Sequence, residues 1–412
     1  MQPESKIIEF RPGFLWGTAT SAHQLEGGND KNDWWLWEQA PGHIADGSRS
    51  EKAADHYRLW REDFTLAKEL GLNAQRISIE WSRIEPEEGL WDEEALRHYR
   101  EALAFLKSQS MTVMVTLWHF TLPQWVSRQG GWSNEKTVRD FKRFVAKVAE
   151  EYAEMVDFWL TINEPMIYLW QGYWTGKWPP GKRSILAVIR AFRMICRAHR
   201  SAYRIIHEVT DCLGKRASVG MAKNVICFDP FRESFFADRW LAQVADWFWN
   251  RLFFSRTRGS HDFIGVNYYF HNRLAFNLRA WRNFFFEIRN ENREVSGVGW
   301  EVYPVGLFAA VKSMARWGKP IYITENGLAT DDDQQRIRFI ASHLAELRRA
   351  MASGADVRGY FYWSLLDAFE WEQGFSARFG LVEADSKTQE RRRRPSADYF
   401  GSLARANGIL LS

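Results

Sequence analysis

Residues 320–327 read Pro320-Ile321-Tyr322-Ile323-Thr324-Glu325-Asn326-Gly327. Ile321 to Thr324 are β-formers without a charge among them, which predicts a strand buried on both faces rather than an alternating one. Glu325 ends that strand, and Asn326 with Gly327 supplies turn chemistry. A carboxylate placed where a buried strand stops is costly to desolvate unless it is paired or used. A second stretch of the same build lies upstream, Phe158-Trp159-Leu160-Thr161-Ile162-Asn163-Glu164-Pro165. There the proline ends the strand by removing a donor, and it is expected to hold Glu164 in extended geometry. Two strand-end glutamates suggest acid/base and nucleophilic work on one bond, as in glycoside hydrolysis. Taken singly, either could instead cap a following helix or pair with an arginine.

Working outward, strand-like runs at 14–22, 74–81, 112–120, 157–165, 217–225, 262–269, 320–327 and 357–367 alternate with helical periodicity at 53–70, 92–108, 135–152, 185–209 and 333–352. The pattern predicts a (β/α)8 TIM barrel, class α/β, with reacting groups at the C-terminal strand ends. A doubly wound open sheet is the alternative, but no glycine-rich phosphate loop follows the first strand. No linker, repeat or low-complexity run divides the 412 residues, so a single domain over 1–412 is expected.

The predicted strand ends are rich in polar and aromatic groups: Gln24 and Glu26, Arg76 and Trp81, Trp118 and His119, Asn163 and Glu164, Asn267 and Tyr269, Glu325, then Trp363. The loop after the eighth strand adds Glu370, Trp371 and Phe379. Each has an ordinary reading, His119 as a core histidine or Arg76 as a counter-ion. A barrel brings them all to one face.

A net charge of +4 with interleaved signs does not imply nucleic acid. The run Arg391 to Arg394 is read as a solvated stretch rather than a phosphate patch. Cys196, Cys212 and Cys227 fit neither a disulfide framework nor a zinc site, and Met1 to Ser5 lacks a signal-peptide pattern, which together point to the cytoplasm. The strongest apolar run, 240–254, is interrupted by polar residues and reads as an amphipathic helix rather than a membrane span. No membrane partner is expected. Aromatics make up 16% of the chain, with 22 Trp, a composition that leans toward carbohydrate because flat rings suit the apolar faces of sugars.

At these motifs the chain resembles glycoside hydrolase family 1, the retaining β-glucosidases and β-galactosidases. Residues 14–27, Phe-Leu-Trp-Gly-Thr-Ala-Thr-Ser-Ala-His-Gln-Leu-Glu-Gly, are similar to the family's N-terminal motif. Thr161 to Pro165 resembles its acid/base motif, Ile323 to Gly327 its nucleophile motif, and 262–269 and 363–371 complete the set. The resemblance runs from about Phe14 to Phe400 and implies roles residue by residue. Glu325 would be the nucleophile and Glu164 the acid/base, roughly 5 Å apart as a retaining mechanism needs. Arg76 and Tyr269 would hold Glu325, and Asn163 would meet the sugar 2-hydroxyl. Gln24, His119, Glu370 and Trp371 would grip the other hydroxyls above Trp363, with Asn267 and Phe379 also in the substrate site. Trp300 would wall the aglycone side. Trp170, Trp174 and Trp178 are read as packing more than contact.

The implied activity is a retaining exo-β-glycosidase, foremost a β-glucosidase with some β-galactosidase or β-fucosidase action, on an unphosphorylated β-glycoside or oligosaccharide and without metal or organic cofactor. A transglycosylase on the same site and a weakly active sugar-binding barrel are the alternatives. Three positions depart from the family pattern: Phe120 and Ala368 replace the usual tryptophan and asparagine, and Val305 the usual glutamate. The passage 250–263 is also short for the family, which predicts a barrel abbreviated between strands five and six and a more open or mobile flank there that exposes apolar surface.

Overall fold

The computed structural model describes residues 7–283 and 285–410; the stretch Met1 to Ser5 lies outside them. Eight parallel strands form the centre: β1 (Leu15–Ala19), β2 (Ala74–Ser78), β3 (Thr112–Thr116), β4 (Phe158–Asn163), β5 (Val219–Asn224), β6 (Ile264–Asn267), β7 (Ile321–Asn326) and β8 (Val357–Trp363). They pair in sequence order and close when β8 meets β1, with Tyr360 opposite Trp16. The interior is packed, with Ala74, Met114, Leu160, Ala222, Phe263, Tyr322 and Phe361 in one buried cluster. Large rings fit there because neighbouring positions are small. A Cβ on Gly17 would stand 2.6 Å from the Phe361 ring, and one on Gly220 would stand 2.6 Å from the Phe263 carbonyl.

The outer layer is helical: α1 (His56–Glu69), α2 (Glu93–Ser108), α3 (Glu135–Tyr152), α4 (Ile185–Cys212), α5 (Phe236–Asp246), α6 (Pro304–Ala315), α7 (Asp333–Ala352) and α8 (Pro395–Ala406). Their starts are encoded locally. Asp92 accepts from the Ala95 amide, Asn134 from Lys136 and Asp332 from Gln334, each satisfying a donor that the first turn leaves unpaired. Apolar stripes such as Phe141, Phe144, Val145 and Val148 on α3 then bury against the barrel. No described helix is long and apolar enough to cross a membrane.

The short passage between β5 and β6 leaves the barrel intact, since Ala222 pairs with Gly265 and Asn224 with Asn267. What covers that flank is an excursion: a strand at Cys227–Pro230, then α5, a π-turn at Trp247–Arg251 and a last helical turn at Leu252–Arg256. Phe253 and Phe254 seal the wall from outside, at 0% and 1% exposure. The excursion does carry exposed apolar surface, on the outward face of α5.

The arginine run at 391–394 is neither free nor a patch. Its members pair separately with Asp63, Glu390, Glu69 and Asp367, and the pairs to Asp63, Glu69 and Asp367 tie the C-terminal segment to α1 and to the loop after β8.

Candidate active site

Glu325 sits at the end of β7, and its surroundings come from three other strands. Arg76 of β2, fully buried, donates through Nη1 to Glu325 Oε1 at 2.6 Å and through Nη2 to Asn163 Oδ1 at 2.8 Å. The Tyr269 hydroxyl, beyond β6, donates to Glu325 Oε2 at 2.9 Å. Both carboxylate oxygens are therefore held. Burial pushes this carboxyl upward, and the Arg76 charge followed by the Tyr269 hydrogen bond pulls it back toward the ionised form.

Glu164 follows β4 and receives less. Asn267 Nδ2 donates to its Oε1 at 2.8 Å, while Asn267 Oδ1 accepts from the Thr324 hydroxyl at 2.6 Å. Burial, then the negative charge of Glu325, raises Glu164 to about 8. The sequence expectation of extended backbone here is corrected: Glu164 has φ 43° and ψ 56°, in the left-handed region. Pro165 disfavours the right-handed helical region for its predecessor but does not bar this one. The turn is held by the Glu164 amide donating to Ala222 O at 2.8 Å and the Asn163 amide donating to Trp118 O at 2.9 Å. A non-glycine residue kept in this conformation stores strain that its neighbours must offset, and the result is a carboxyl aimed into the mouth.

Asn163 fixes a tautomer. Its Oδ1 accepts from Arg76 and from Asn267 (3.2 Å), so its Nδ2 faces His119 Nε2 at 3.2 Å, which must accept. The His119 proton then lies on Nδ1, a buried atom with no protein partner. Burial and the Arg76 charge keep the imidazole neutral. An orphaned buried donor at the cavity wall is a place for a ligand oxygen.

Around this centre, Gln24 Nε2 donates to Glu370 Oε2 at 2.8 Å, and Ser21 holds the other end of the amide. Burial, then the charges of Glu325 and Glu372, raises Glu370 to about 8, so in the free protein its repulsion of a phosphate is weaker than a full charge would give. Trp363 and Trp371 both lie near parallel to His119, with centroids at 6.0 and 6.1 Å. Trp371 is backed by the stacked His23 ring and by Trp34. Phe120 packs its edge on Trp371 at 5.2 Å, so the substituted position serves the wall by shape without an N–H. Trp300 and Phe379 line the cavity beside Tyr269, with centroids 5.8 and 6.2 Å from it.

One cavity is lined by Glu164, Glu325, Asn163, Tyr269, Gln24, His119, Trp300, Trp363, Glu370, Trp371 and Phe379 together. Arg76 and Asn267 lie beneath its floor and act through the residues they hold. Of the three upstream tryptophans, Trp178 reaches the cavity, and Trp170 stacks on Trp174 outside it.

Sequence reasoning missed Lys223, a fully buried lysine on β5 whose ammonium donates to the Asn224 carbonyl. Burial pulls it down to about 7 against the opposing charge of Glu164. Its signal was present: a lone charge in the apolar run 219–225, the same oddity that marked Glu325. Gln171, Glu372 and Gln373 also line the cavity and carried no comparable mark. Among the described residues, Cys227, Asp229 and His271 lie close enough to suggest a metal site. Both imidazole nitrogens already face carboxylates, however, Glu301 at 2.6 Å and Asp229 at 3.0 Å, which occupies the positions a metal would need.

The family model "Glycosyl hydrolase family 1" matches residues 6–258 and 253–409. Beta-glucosidase A of Thermotoga maritima is 31% identical over 98% of this chain and 99% of its own length. A beta-galactosidase of Pyrococcus woesei is 31% identical over 97% and 98%. Among solved structures, a beta-glycosidase from Pyrococcus horikoshii superposes with a TM-score of 0.91 at 40% identity, covering 98% of this chain and 96% of that one. The family 1 b-glucosidase from Thermotoga maritima gives 0.93 at 29% identity, covering 98% and 100%.

Proposed function

The chain belongs to glycosyl hydrolase family 1, and on that premise we propose that it is a retaining exo-β-glycosidase acting on terminal, non-reducing β-D-glucosyl residues, with galactosyl and fucosyl glycosides as secondary substrates. The observation that carries this reading is the asymmetry between the two carboxyls. Arg76 and Tyr269 grip both oxygens of Glu325, whereas Glu164 has one neutral amide donor and a pKa of about 8. At neutral pH the first is the anion and the second the acid.

In the first step a Glu325 oxygen bonds to the anomeric carbon. The glycosidic C–O bond breaks, and its electron pair takes the Glu164 proton, releasing the aglycone as an alcohol. Esterification removes the Glu325 charge that had helped hold that proton, so Glu164 is left as a carboxylate able to act as base. In the second step it takes a proton from water, whose oxygen bonds to the anomeric carbon as the ester C–O bond breaks and Glu325 leaves as carboxylate. Asn163 and the His119 Nδ1–H are proposed to hold sugar hydroxyls, with Gln24 and Glu370 on the far side, Trp363 and Trp371 against the ring, and Trp300 and Phe379 toward the aglycone. Three unpaired cysteines fit a reducing compartment such as the cytoplasm.

The test is Glu325→Gly assayed on nitrophenyl β-glucoside with and without azide. Loss of at least about four orders of magnitude in kcat, with azide restoring turnover to the α-glucosyl azide, supports the assignment. A β-configured azide, or a wild-type enzyme that first releases α-glucose, would overturn retention.

A further inference from the structure

The outward face of α5 and the turn after it is apolar where a surface helix should be polar. Phe236, Trp240, Val244, Trp247 and Phe248 are 71%, 52%, 42%, 49% and 48% exposed. They recur at three- and four-residue spacing and form one strip, while Asp238, Leu241 and Ala242 on the other side are buried. The helix thus has two apolar faces, and the chain covers one of them. A contiguous exposed aromatic strip on a protein otherwise well packed marks a contact surface.

Cations on the excursion and on the neighbouring helix α4 are likewise without an ion pair among the described residues. Arg239 stands within the strip, exposed and without an ion pair among the described residues. α4 adjoins this flank where the Phe192 ring meets Phe253 at 5.9 Å. It begins with the exposed Leu186 and Ile189 and continues with Arg190, Arg193, Arg200 and Arg204, all exposed and without an ion pair among the described residues. Within that row only Arg197 is paired, with Glu135.

We propose that this flank docks the protein peripherally on an anionic lipid surface, with Phe236, Trp240, Trp247 and Phe248 in the boundary between headgroups and acyl chains and the free arginines of α4 on the phosphates. Tryptophan and phenylalanine suit that boundary because their rings are apolar and the indole N–H still finds an acceptor. A helix lying in the interface plane needs one apolar face and nearby cations, not the long apolar run of a span. The expectation of no membrane partner rested on the missing span, which has no bearing on surface docking. A second copy of the chain suits the strip less well, because a two-fold pairing would gather the same unpaired arginines of both copies at one interface. The excursion follows β5, on the face of the barrel that carries Glu164 and Glu325. Trp249, next to the strip, donates to Asn224 at 3.2 Å and meets Trp170, whose neighbour Gln171 lines the cavity. Docking would bring the cavity mouth close to the lipid.

Flotation with vesicles tests this, using phosphatidylcholine alone and phosphatidylcholine mixed with phosphatidylglycerol. The wild-type protein is expected to float with the mixed vesicles and to be released by added salt. Trp240→Glu combined with Trp247→Glu should lower the bound fraction at least about tenfold, while hydrolysis of nitrophenyl β-glucoside without vesicles stays unchanged and reports an intact fold. Arg193→Glu with Arg200→Glu should abolish the preference for phosphatidylglycerol. Wild-type protein that floats with neither vesicle, or a tryptophan variant that floats as well as wild type, overturns the proposal. So does a wild-type dimer in solution that the tryptophan variant dissociates while neither binds vesicles, which would assign the strip to a second copy.

Discussion

The ends of β7 and β4 are built alike in sequence, an apolar strand running into a glutamate, and differ in what the barrel sets beside them. Glu325 meets a buried guanidinium and a phenol, one on each oxygen. Glu164 meets the amide of Asn267, the charge of Glu325 and, more distantly, the opposing charge of Lys223. Both lose hydration, so burial raises both. The cation is bonded to one of them only, and on this difference rests the proposed division of two otherwise equivalent groups into an anion and an acid. Chemical role here belongs to the neighbours of a carboxyl more than to its own strand.

That contrast can be broken at Glu164 with a large effect. Glu164→Ala should slow hydrolysis of an alkyl β-glucoside by roughly 10²- to 10⁴-fold but cost much less with a dinitrophenyl leaving group, which needs no proton. Equal losses on both substrates would refute the assignment. The same carboxyl gives a stability signature. Folded, it keeps its proton up to about 8, against a reference of 4.5, so the native state binds the extra proton between those values and folding weakens as pH rises through the window. Glu164→Gln should therefore raise Tm at pH 8 more than at pH 5.

At Glu325 the contrast can be weakened without removing the carboxyl proposed as nucleophile. Tyr269→Phe deletes the donor to Oε2, a hydrogen bond to a charged group worth about 1.5–3 kcal/mol, so kcat should fall roughly 10- to 100-fold. The acid limb of the pH profile should move upward, because the anion has lost support. A loss confined to KM would mean the phenol only binds sugar.

The smallest expected effect sharpens the comparison from the acid's side. Lys223 favours ionised Glu164, so Lys223→Met should raise that pKa further and shift the alkaline limb of kcat/KM upward by less than about one pH unit. Activity persists below this pKa and fades as pH rises through it. A downward shift would mean that Lys223 acts through packing alone.

Much of this was legible from residue order. The strand runs fell on the eight strands found, because parallel strands buried on both faces must be continuously apolar and their ends must be marked by polar residues and turns. The candidate residues lie together because a barrel delivers the C-terminal ends of all its strands to one face. Illegible were the left-handed turn at Glu164, which depends on an acceptor supplied by β5, and the shift of Lys223, which depends on burial under Trp249. Neither partner is near in sequence.

The run 240–254 marks the same boundary from the other side. Its composition announced an amphipathic helix, and nothing in the order of its residues said where the helix would begin or which face would find a covering partner. Residue order by itself determined the strands, their count, and the two carboxyls at strand ends, since these follow from local hydrophobic pattern and turn chemistry. Only the tertiary structure decided which histidine nitrogen kept its proton and which aromatic rings were left facing solvent, and it set the guanidinium on the carboxyl that the family resemblance had implied. Those outcomes depend on distances between residues far apart in the chain, and burial and Coulomb energies are functions of distance.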